Sequence, residues 1–114
     1  MVVRQGDVWW AELPPPRGSE AGFRRPVIIM QEDLLNRSAL RTALCVPLTS
    51  NQRWAGLPTT LTLAPDETGL DQASVAQAPL AFAVNKVDLT ERVGRVSAQS
   101  LRLLMRCIDR VMGR

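Results

Sequence analysis

Any chemistry in this chain must be carried out by arginines, carboxylates and hydroxyl groups, because the 114-residue sequence has no histidine and only two cysteines. Without histidine, His-based acid–base catalysis, Ser-His-Asp triads and most zinc chemistry are excluded. Cys45 and Cys107 are far apart and form no CxxC pair. We expect two reduced, buried thiols, with a disulfide as the alternative, and neither a metal site nor a cofactor.

Arginine supplies almost all of the positive charge. Of the fourteen basic residues only Lys86 is a lysine, and the net charge is +3. A guanidinium group is suited to bidentate phosphate contacts and to stacking on bases. A genomic preference for arginine codons would produce the same ratio. The basic balance therefore permits a nucleic-acid partner without demonstrating one.

The two most apolar runs, residues 25–31 and 42–49, predict strands that are buried on both faces. Pro26 is compatible with the first of them because it lies at the start of the strand. Arg25 opens the first run and Thr49 ends the second, so each side chain would be held at the end of a rigid element.

Two polar loops adjoin these strands. Residues 14–22 contain three prolines and two glycines, which favour neither helix nor strand. Such a long connection in a small domain is often functional. The second loop, residues 50–58, contains a cation and an aromatic ring side by side at Arg53 and Trp54.

The remaining sequence predicts short strands and one helix. Residues 97–112 carry apolar side chains at helical spacing, with Ser97 as the N-cap and Gly113 as the stop. Five or six short strands and one amphipathic helix predict a small closed or half-open barrel. The further strands are expected at residues 8–13, 59–64, 73–78 and 80–84, and residues 93–96 are a weaker candidate that is not counted among the six.

Length and composition predict one globular domain over residues 1–114. Apolar residues make up 46% of the chain and charged residues 22%, and the mean hydropathy is −0.03. No apolar run approaches the ~20 residues that span a bilayer. The first seven residues lack the apolar stretch of a signal peptide. We therefore expect a cytoplasmic protein without a membrane partner.

Four blocks of sequence resemble the MazF/PemK family of toxin ribonucleases. They are Gly6-Asp7-Val8-Trp9, Gly18-Ser19-Glu20, Arg25-Pro26-Val27-Ile28-Ile29 and Val46-Pro47-Leu48-Thr49-Ser50. Any one block alone would be a weak signal, but their order and spacing together are specific. The resemblance extends from Gly6 to about the end of the terminal helix.

The resemblance implies a mainly β fold, an SH3-like barrel with the C-terminal helix. It also implies a homodimer that cleaves single-stranded messenger RNA at short sequences without a metal. A cognate antitoxin would then place a peptide segment in the RNA groove. The chemistry is compatible, because RNA carries its own nucleophile, the ribose 2′-OH, and the enzyme has only to manage protons and charge.

By this resemblance the catalytic residues are Arg25, Thr49 and Glu20. Arg25 would stabilise charge on the reacting phosphate, and Thr49 would hydrogen-bond a phosphate oxygen. Glu20 would accept the 2′-OH proton or orient Arg25. On the residues alone, alternatives remain open: an ion pair of Arg25 with Glu12 or Glu20, a Thr49 that caps the next turn, and a solvated Glu20.

RNA-binding roles are expected for Ser19, Arg24, Arg53 and Trp54. Ser19 would order the loop or contact phosphate, and Arg24 would add charge beside Arg25. A base stacked on Trp54 would contribute ~1–3 kcal/mol. The alternative for Trp54 is packing over the barrel.

Two features bear on the wall that reads the RNA. Trp9 and Trp10 are adjacent and face opposite sides of a strand, so one is core and the other lines the dimer contact or the groove. Many family members carry a Gln and a basic residue near the fifth and sixth strands, where this chain has Pro79-Leu80-Ala81-Phe82. A cleavage sequence therefore cannot be transferred from a relative.

Two other functions fit the same fold. The first is a non-catalytic toxin that poisons DNA gyrase. Such toxins end in a Trp-containing tail, whereas this chain ends Val111-Met112-Gly113-Arg114. The second is an SH3-like interaction module without toxicity.

Overall fold

The computed structural model describes residues 2–19 and 22–114. The described residues form seven strands and three α-helices, with three single 3₁₀ turns between them. The strands are β1 (Asp7–Glu12), β2 (Arg24–Ile29), β3 (Thr42–Thr49), β4 (Thr60–Leu63), β5 (Ser74–Gln77), β6 (Phe82–Asn85) and β7 (Leu89–Arg95). The helices are α1 (Asp33–Asn36), α2 (Pro65–Thr68) and α3 (Ala98–Val111).

All strand pairings are antiparallel, and the sheet has the order β4-β5-β3-β2-β1-β7. Strand β3 is central because its first half also pairs with β6 and its end pairs with β5. Among the described residues, the two outer strands β4 and β7 do not pair with each other, so the barrel is half-open. The predicted class, mainly β with a C-terminal helix, is confirmed.

The expected count of five or six strands is too low. The seventh strand begins at Leu89 rather than at residue 93. Its first half was missed because Thr90, Glu91 and Arg92 are polar and exposed, while Leu89 alone reaches the core. A strand at the edge of a sheet needs only one buried face.

The two faces of the central strands pack into two separate cores. On β2, Ile28 belongs to one core, whereas Val27 and Ile29 belong to the other. The first core includes Leu104 and Cys107 from α3. This double burial explains the nearly continuous apolar run of β2, as predicted.

Helix α3 has the predicted boundaries. The Ser97 hydroxyl accepts a hydrogen bond from the Ser100 N–H at 3.1 Å, as an N-cap does. At the other end Gly113 has a positive φ of 80°, and the N–H of Arg114 donates to the carbonyl of Asp109. This is the Schellman arrangement, for which glycine is the preferred residue.

The two thiols agree with the expectation from the sequence. Cys45 and Cys107 are both free and buried, and burial raises the pKa of Cys45 to about 12. No helix in the part of the chain that the structure describes is long and apolar enough to cross a membrane.

Candidate active site

Arg25 and Thr49 are placed opposite each other by the register of two strands. Strands β2 and β3 pair Ile29 with Cys45 and Val27 with Pro47. Continuing this antiparallel register by two residues sets Arg25 across from Thr49. Because side chains alternate along a strand, the two residues lie on one face of the sheet.

Both side chains line an open cleft of about 360 Å³. Its walls come from the start of β2, the end of β3 and the segment before β5. The lining residues are Trp10, Arg24, Arg25, Pro26, Leu48, Thr49, Ser50, Leu70, Asp71, Gln72 and Ser74. The cleft therefore combines two cations, one carboxylate, hydroxyl groups and an amide group, with space for a ligand.

Arg25 is held by a neutral partner. Its Nη1 donates to Oε1 of Gln77 at 3.5 Å, and Gln77 is only 2% exposed. Among residues 2–19 and 22–114, no carboxylate lies within ion-pair distance of Arg25. An ion pair with Glu12 is thus not formed, because Glu12 contacts Arg24 instead. Arg25 therefore forms no ion pair within the described part of the chain, although the carboxylate of Asp71 lines the same cleft.

Thr49 presents a hydroxyl group whose orientation is partly fixed. The backbone N–H of Asn51 donates to Oγ1 of Thr49 at 3.2 Å. A hydroxyl group can accept and donate at once, so the hydrogen of this group is left to donate. The end of β3 therefore carries a hydrogen-bond donor facing the same cleft as the Arg25 guanidinium.

Arg24 forms the rim of the cleft together with Trp10. Its guanidinium carbon lies 4.1 Å from the centroid of the Trp10 ring, a cation–π contact. It also pairs with Glu12 at 3.3 Å and with Glu91 at 3.8 Å. Arg24 is thus neutralised and stacked, in contrast to its neighbour Arg25.

A family model described as "PemK-like, MazF-like toxin of type II toxin-antitoxin system" matches residues 4–112. The chain belongs to this family of toxins.

Curated relatives agree over most of the chain. The sequence is 38% identical over 112 residues to the endoribonuclease MazF6 of Mycobacterium tuberculosis, covering 98% of both chains. It is 34% identical over 93 residues to the endoribonuclease EndoA of Bacillus subtilis, covering 82% of this chain and 79% of the relative.

Solved structures share the fold. MazF from Deinococcus radiodurans superimposes with a TM-score of 0.82 at 22% identity, covering 100% of this chain and 99% of that one. A mycobacterial endoribonuclease solved with its cognate antitoxin gives a TM-score of 0.80 at 19% identity, covering 97% and 95%. The half-open barrel is therefore the fold of MazF-like toxins.

Four other expected site residues do not line the cleft or cannot be placed in it. Arg53 and Trp54 form a 3₁₀ turn after β3, with Arg53 exposed and Trp54 half-buried. The Trp54 carbonyl accepts a hydrogen bond from Thr60 at 2.7 Å, which ties this turn to β4. Ser19 is exposed in a turn, and Glu20 lies outside the described residues.

Sequence reasoning missed Gln77 and the segment from Leu70 to Ser74. Gln77 is a large polar residue at the end of a fully buried strand, and a buried amide needs a hydrogen-bond partner. The polar residue in this strand was visible in the sequence, but the sequence did not indicate which residue would bind its amide group. Of the adjacent tryptophans, Trp9 is the core residue and Trp10 is the one that lines the cleft.

Proposed function

We propose that this MazF-like toxin cleaves single-stranded messenger RNA at short specific sequences, without a metal, by attack of the substrate's own 2′-OH. The coarser conclusion, an RNA-cleaving toxin, follows from the family and from the curated endoribonucleases it resembles. The observation that carries the finer proposal is an arginine without a carboxylate partner, facing a threonine hydroxyl across an open cleft.

The reaction needs charge stabilisation more than it needs a metal. The 2′-oxygen forms a bond to phosphorus while the bond from phosphorus to the 5′-oxygen breaks. One proton leaves the 2′-OH and another reaches the 5′-oxygen, which yields a 2′,3′-cyclic phosphate and a 5′-OH. Negative charge grows on the non-bridging oxygens in the transition state. Donors already aimed at such oxygens typically contribute several kcal/mol.

Arg25 and Thr49 supply those donors in this proposal. Gln77 holds the Arg25 guanidinium in place without neutralising it, so its full charge acts on the phosphate. Thr49 donates its hydroxyl hydrogen to a second phosphate oxygen. We assign Arg25 to charge stabilisation because a guanidinium gives up its proton reluctantly. Glu20 is the proposed acceptor of the 2′-OH proton, or else it orients Arg25.

The remaining residues contact RNA away from the reacting phosphate. Arg24, paired with Glu12 and Glu91 and stacked on Trp10, presents a flat guanidinium on which a base can lie. Arg53 and Trp54, in the turn after β3, are a separate proposed RNA contact, and Ser19 contacts phosphate or orders its loop. We also propose that the single domain acts as a cytoplasmic homodimer.

An antitoxin would occupy the same cleft. An extended acidic peptide and an RNA strand both present negative charge along a narrow chain, so one should exclude the other. Competition between a labelled RNA and the antitoxin peptide tests this. Simultaneous binding with unchanged affinities would contradict a shared site.

Removing the 2′-oxygen of the substrate at the cleavage site tests whether the 2′-OH is the nucleophile. We first map the cleavage site in a short RNA and then replace the 2′-OH at that nucleotide by hydrogen. Cleavage should stop at that bond, and cleavage of the unmodified RNA should continue in EDTA. Undiminished cleavage of the deoxy substrate would rule out 2′-OH attack. Loss of activity in EDTA that returns with a divalent cation would rule out the metal-free route.

A further inference from the structure

A second basic pocket lies at the opposite end of β1 from the cleft. It encloses about 280 Å³ and is lined by Val2, Arg4, Asp7, Arg92 and Arg95. Glu12, at the other end of β1, pairs with Arg24 on the rim of the cleft. Arg25 of the cleft pairs with Ala11 of β1, so four residue steps along the extended strand, roughly 13 Å, separate its level from that of Asp7.

The buried carboxylate of Asp7 holds two arginines of this pocket in place. It is 1% exposed, and its carboxylate accepts four hydrogen bonds. One oxygen accepts from Nε of Arg92 at 3.1 Å and from Nε of Arg95 at 3.2 Å. The other accepts from the backbone N–H of Arg4 at 3.0 Å and from the Trp9 indole at 3.4 Å. The carboxylate is therefore fully used within the protein.

A bulge in β7 brings the two arginines to one side. Residues three apart on a regular strand face opposite sides of the sheet. Here Val8 pairs with Gly94 while Trp9 pairs with Arg92, so Val93 is an extra residue. The extra residue reverses the alternation, and Arg92 and Arg95 both reach Asp7. Bulges of this kind commonly redirect a side chain.

The pocket keeps a surplus of positive charge and of hydrogen-bond donors. Its lining has three guanidinium groups against one carboxylate, a surplus of two positive charges. Arg92 and Arg95 reach Asp7 through Nε, and their terminal nitrogens have no partner in the described part of the chain. The Arg4 guanidinium likewise has none among residues 2–19 and 22–114. The nearby Asp33 accepts its hydrogen bonds from Gln5 and Asn36 and does not line the pocket.

We propose that this pocket binds a phosphate of the RNA strand away from the scissile bond, an inference that rests on the proposed ribonuclease function. Planar guanidinium groups match the oxygens of a phosphodiester, and fixing them through Asp7 lowers the ordering cost of binding. The half-exposed side chains of Arg92 and Arg95 leave the terminal nitrogens open to such a ligand. An RNA long enough to span from cleft to pocket would touch both sites, and a shorter RNA would touch only the cleft.

The substitution Arg4→Gln tests this site and leaves the hydrogen bonds of Asp7 intact. Residue 4 donates to Asp7 through its backbone N–H and not through its side chain. The matched control is Arg106→Gln, which removes the same charge from an exposed position on α3. The probes are fluorescent 2′-O-methyl oligouridylates of about 2 and about 20 nucleotides, both of which lack the nucleophile. The shorter probe has one internucleotide phosphate and cannot span from the cleft to the pocket, whereas the longer probe exceeds common single-strand site sizes.

Arg4→Gln should weaken binding of the long probe about three- to tenfold and leave the short probe unchanged. The dependence of binding on salt should fall by about 0.7 in slope, as expected for one lost phosphate contact. Arg106→Gln should change neither quantity. Equal affinities of wild type and Arg4→Gln for the long probe, or equal weakening for both probes, would overturn the proposal. Arg4-dependent binding of polyglutamate without any effect on RNA would also overturn it and assign the pocket to an acidic protein partner.

Cleavage of a short RNA separates this inference from the ribonuclease proposal. The Arg4→Gln protein should cleave the short substrate at the wild-type rate. If the wild type cleaves no RNA, the proposed function fails whatever the binding data show. If the wild type cleaves and the length dependence is absent, only the second phosphate site fails.

Discussion

The two ends of strand β1 hold arginines in different ways. At the cleft, Arg25 is fixed by the neutral side chain of Gln77. At the far end, Arg92 and Arg95 are fixed by the buried carboxylate of Asp7. A neutral partner positions a guanidinium and leaves its charge for a ligand. A carboxylate partner uses part of that charge to hold the fold together.

The energetic consequences differ as well. Removing one partner of a buried charged network leaves unsatisfied donors and uncompensated charge, which typically costs ~3–5 kcal/mol. The contact between Arg25 and Gln77 is one long hydrogen bond from a partly exposed guanidinium to a buried amide, so its loss costs the fold about 1 kcal/mol. The cleft end should therefore respond to mutation in activity, and the Asp7 end in stability.

The largest expected effect is on stability. Replacing the buried carboxylate, Asp7→Ala, should lower the free energy of unfolding by ~3–5 kcal/mol in urea denaturation, because four donors lose their acceptor. Asp109→Ala, at an exposed position on α3, is the control and should change it by less than ~0.5 kcal/mol. A loss below ~1 kcal/mol for Asp7→Ala would mean that the network does not hold this end of the sheet.

The second-largest expected effect is on catalysis at the cleft. Gln77→Glu makes the cleft resemble the Asp7 end by giving Arg25 a carboxylate partner. We expect kcat to fall about tenfold, ~1.4 kcal/mol, with KM changed much less, because the charge meant for the transition state is neutralised. Gln77→Leu should also lower kcat by freeing the guanidinium. If Gln77→Glu raised kcat or left it unchanged, the role of the neutral partner would be wrong.

The smallest effect is a dependence of stability on pH. The hydrogen bond from the Gln5 N–H, then that from Asn36, and the nearby charges of Arg37 and Arg95 hold the pKa of Asp33 below its usual range. A carboxyl group with a lowered pKa in the folded state stabilises the fold fully above its unfolded pKa. That contribution is lost as the pH falls through the folded pKa.

Urea denaturation at neutral and at strongly acidic pH measures this loss. Asp33→Asn should lose less stability on acidification than the wild type does, because one titrating group is gone. The Gln5 amide, which donates to Asp33, should exchange its hydrogen faster in acid relative to amides beside the cleft. Identical acid sensitivity of wild type and Asp33→Asn would show that Asp33 does not contribute.

Sequence patterns predicted most of the fold because apolar runs mark buried strands and capping residues mark helix ends. The run from Val27 to Ile29 is apolar since both its faces are covered, and Ser97 and Gly113 mark the ends of α3 by their own backbone chemistry. The first half of β7 escaped prediction because an exposed edge strand carries no such pattern.

The candidate site was predicted only in part. The resemblance pointed to Arg25 and Thr49, and the structure places both in one cleft. It could not indicate Gln77, since contact with Arg25 depends on how β3 bridges β2 and β5. The β7 bulge that joins Arg92 and Arg95 also depends on a pairing shift that is invisible in the sequence.

The central claim is that the charge of Arg25 drives RNA cleavage, and one substitution measures it most directly. Initial rates on a short RNA in EDTA are compared for wild type, Arg25→Ala and the charge-matched control Arg106→Ala, with the fold checked by urea denaturation. We predict that Arg25→Ala lowers kcat by about 10²- to 10³-fold or more while the protein stays folded and loses far less stability than Asp7→Ala does, and that Arg106→Ala keeps the wild-type rate. A folded Arg25→Ala protein that cleaves the RNA as fast as the wild type would contradict the account.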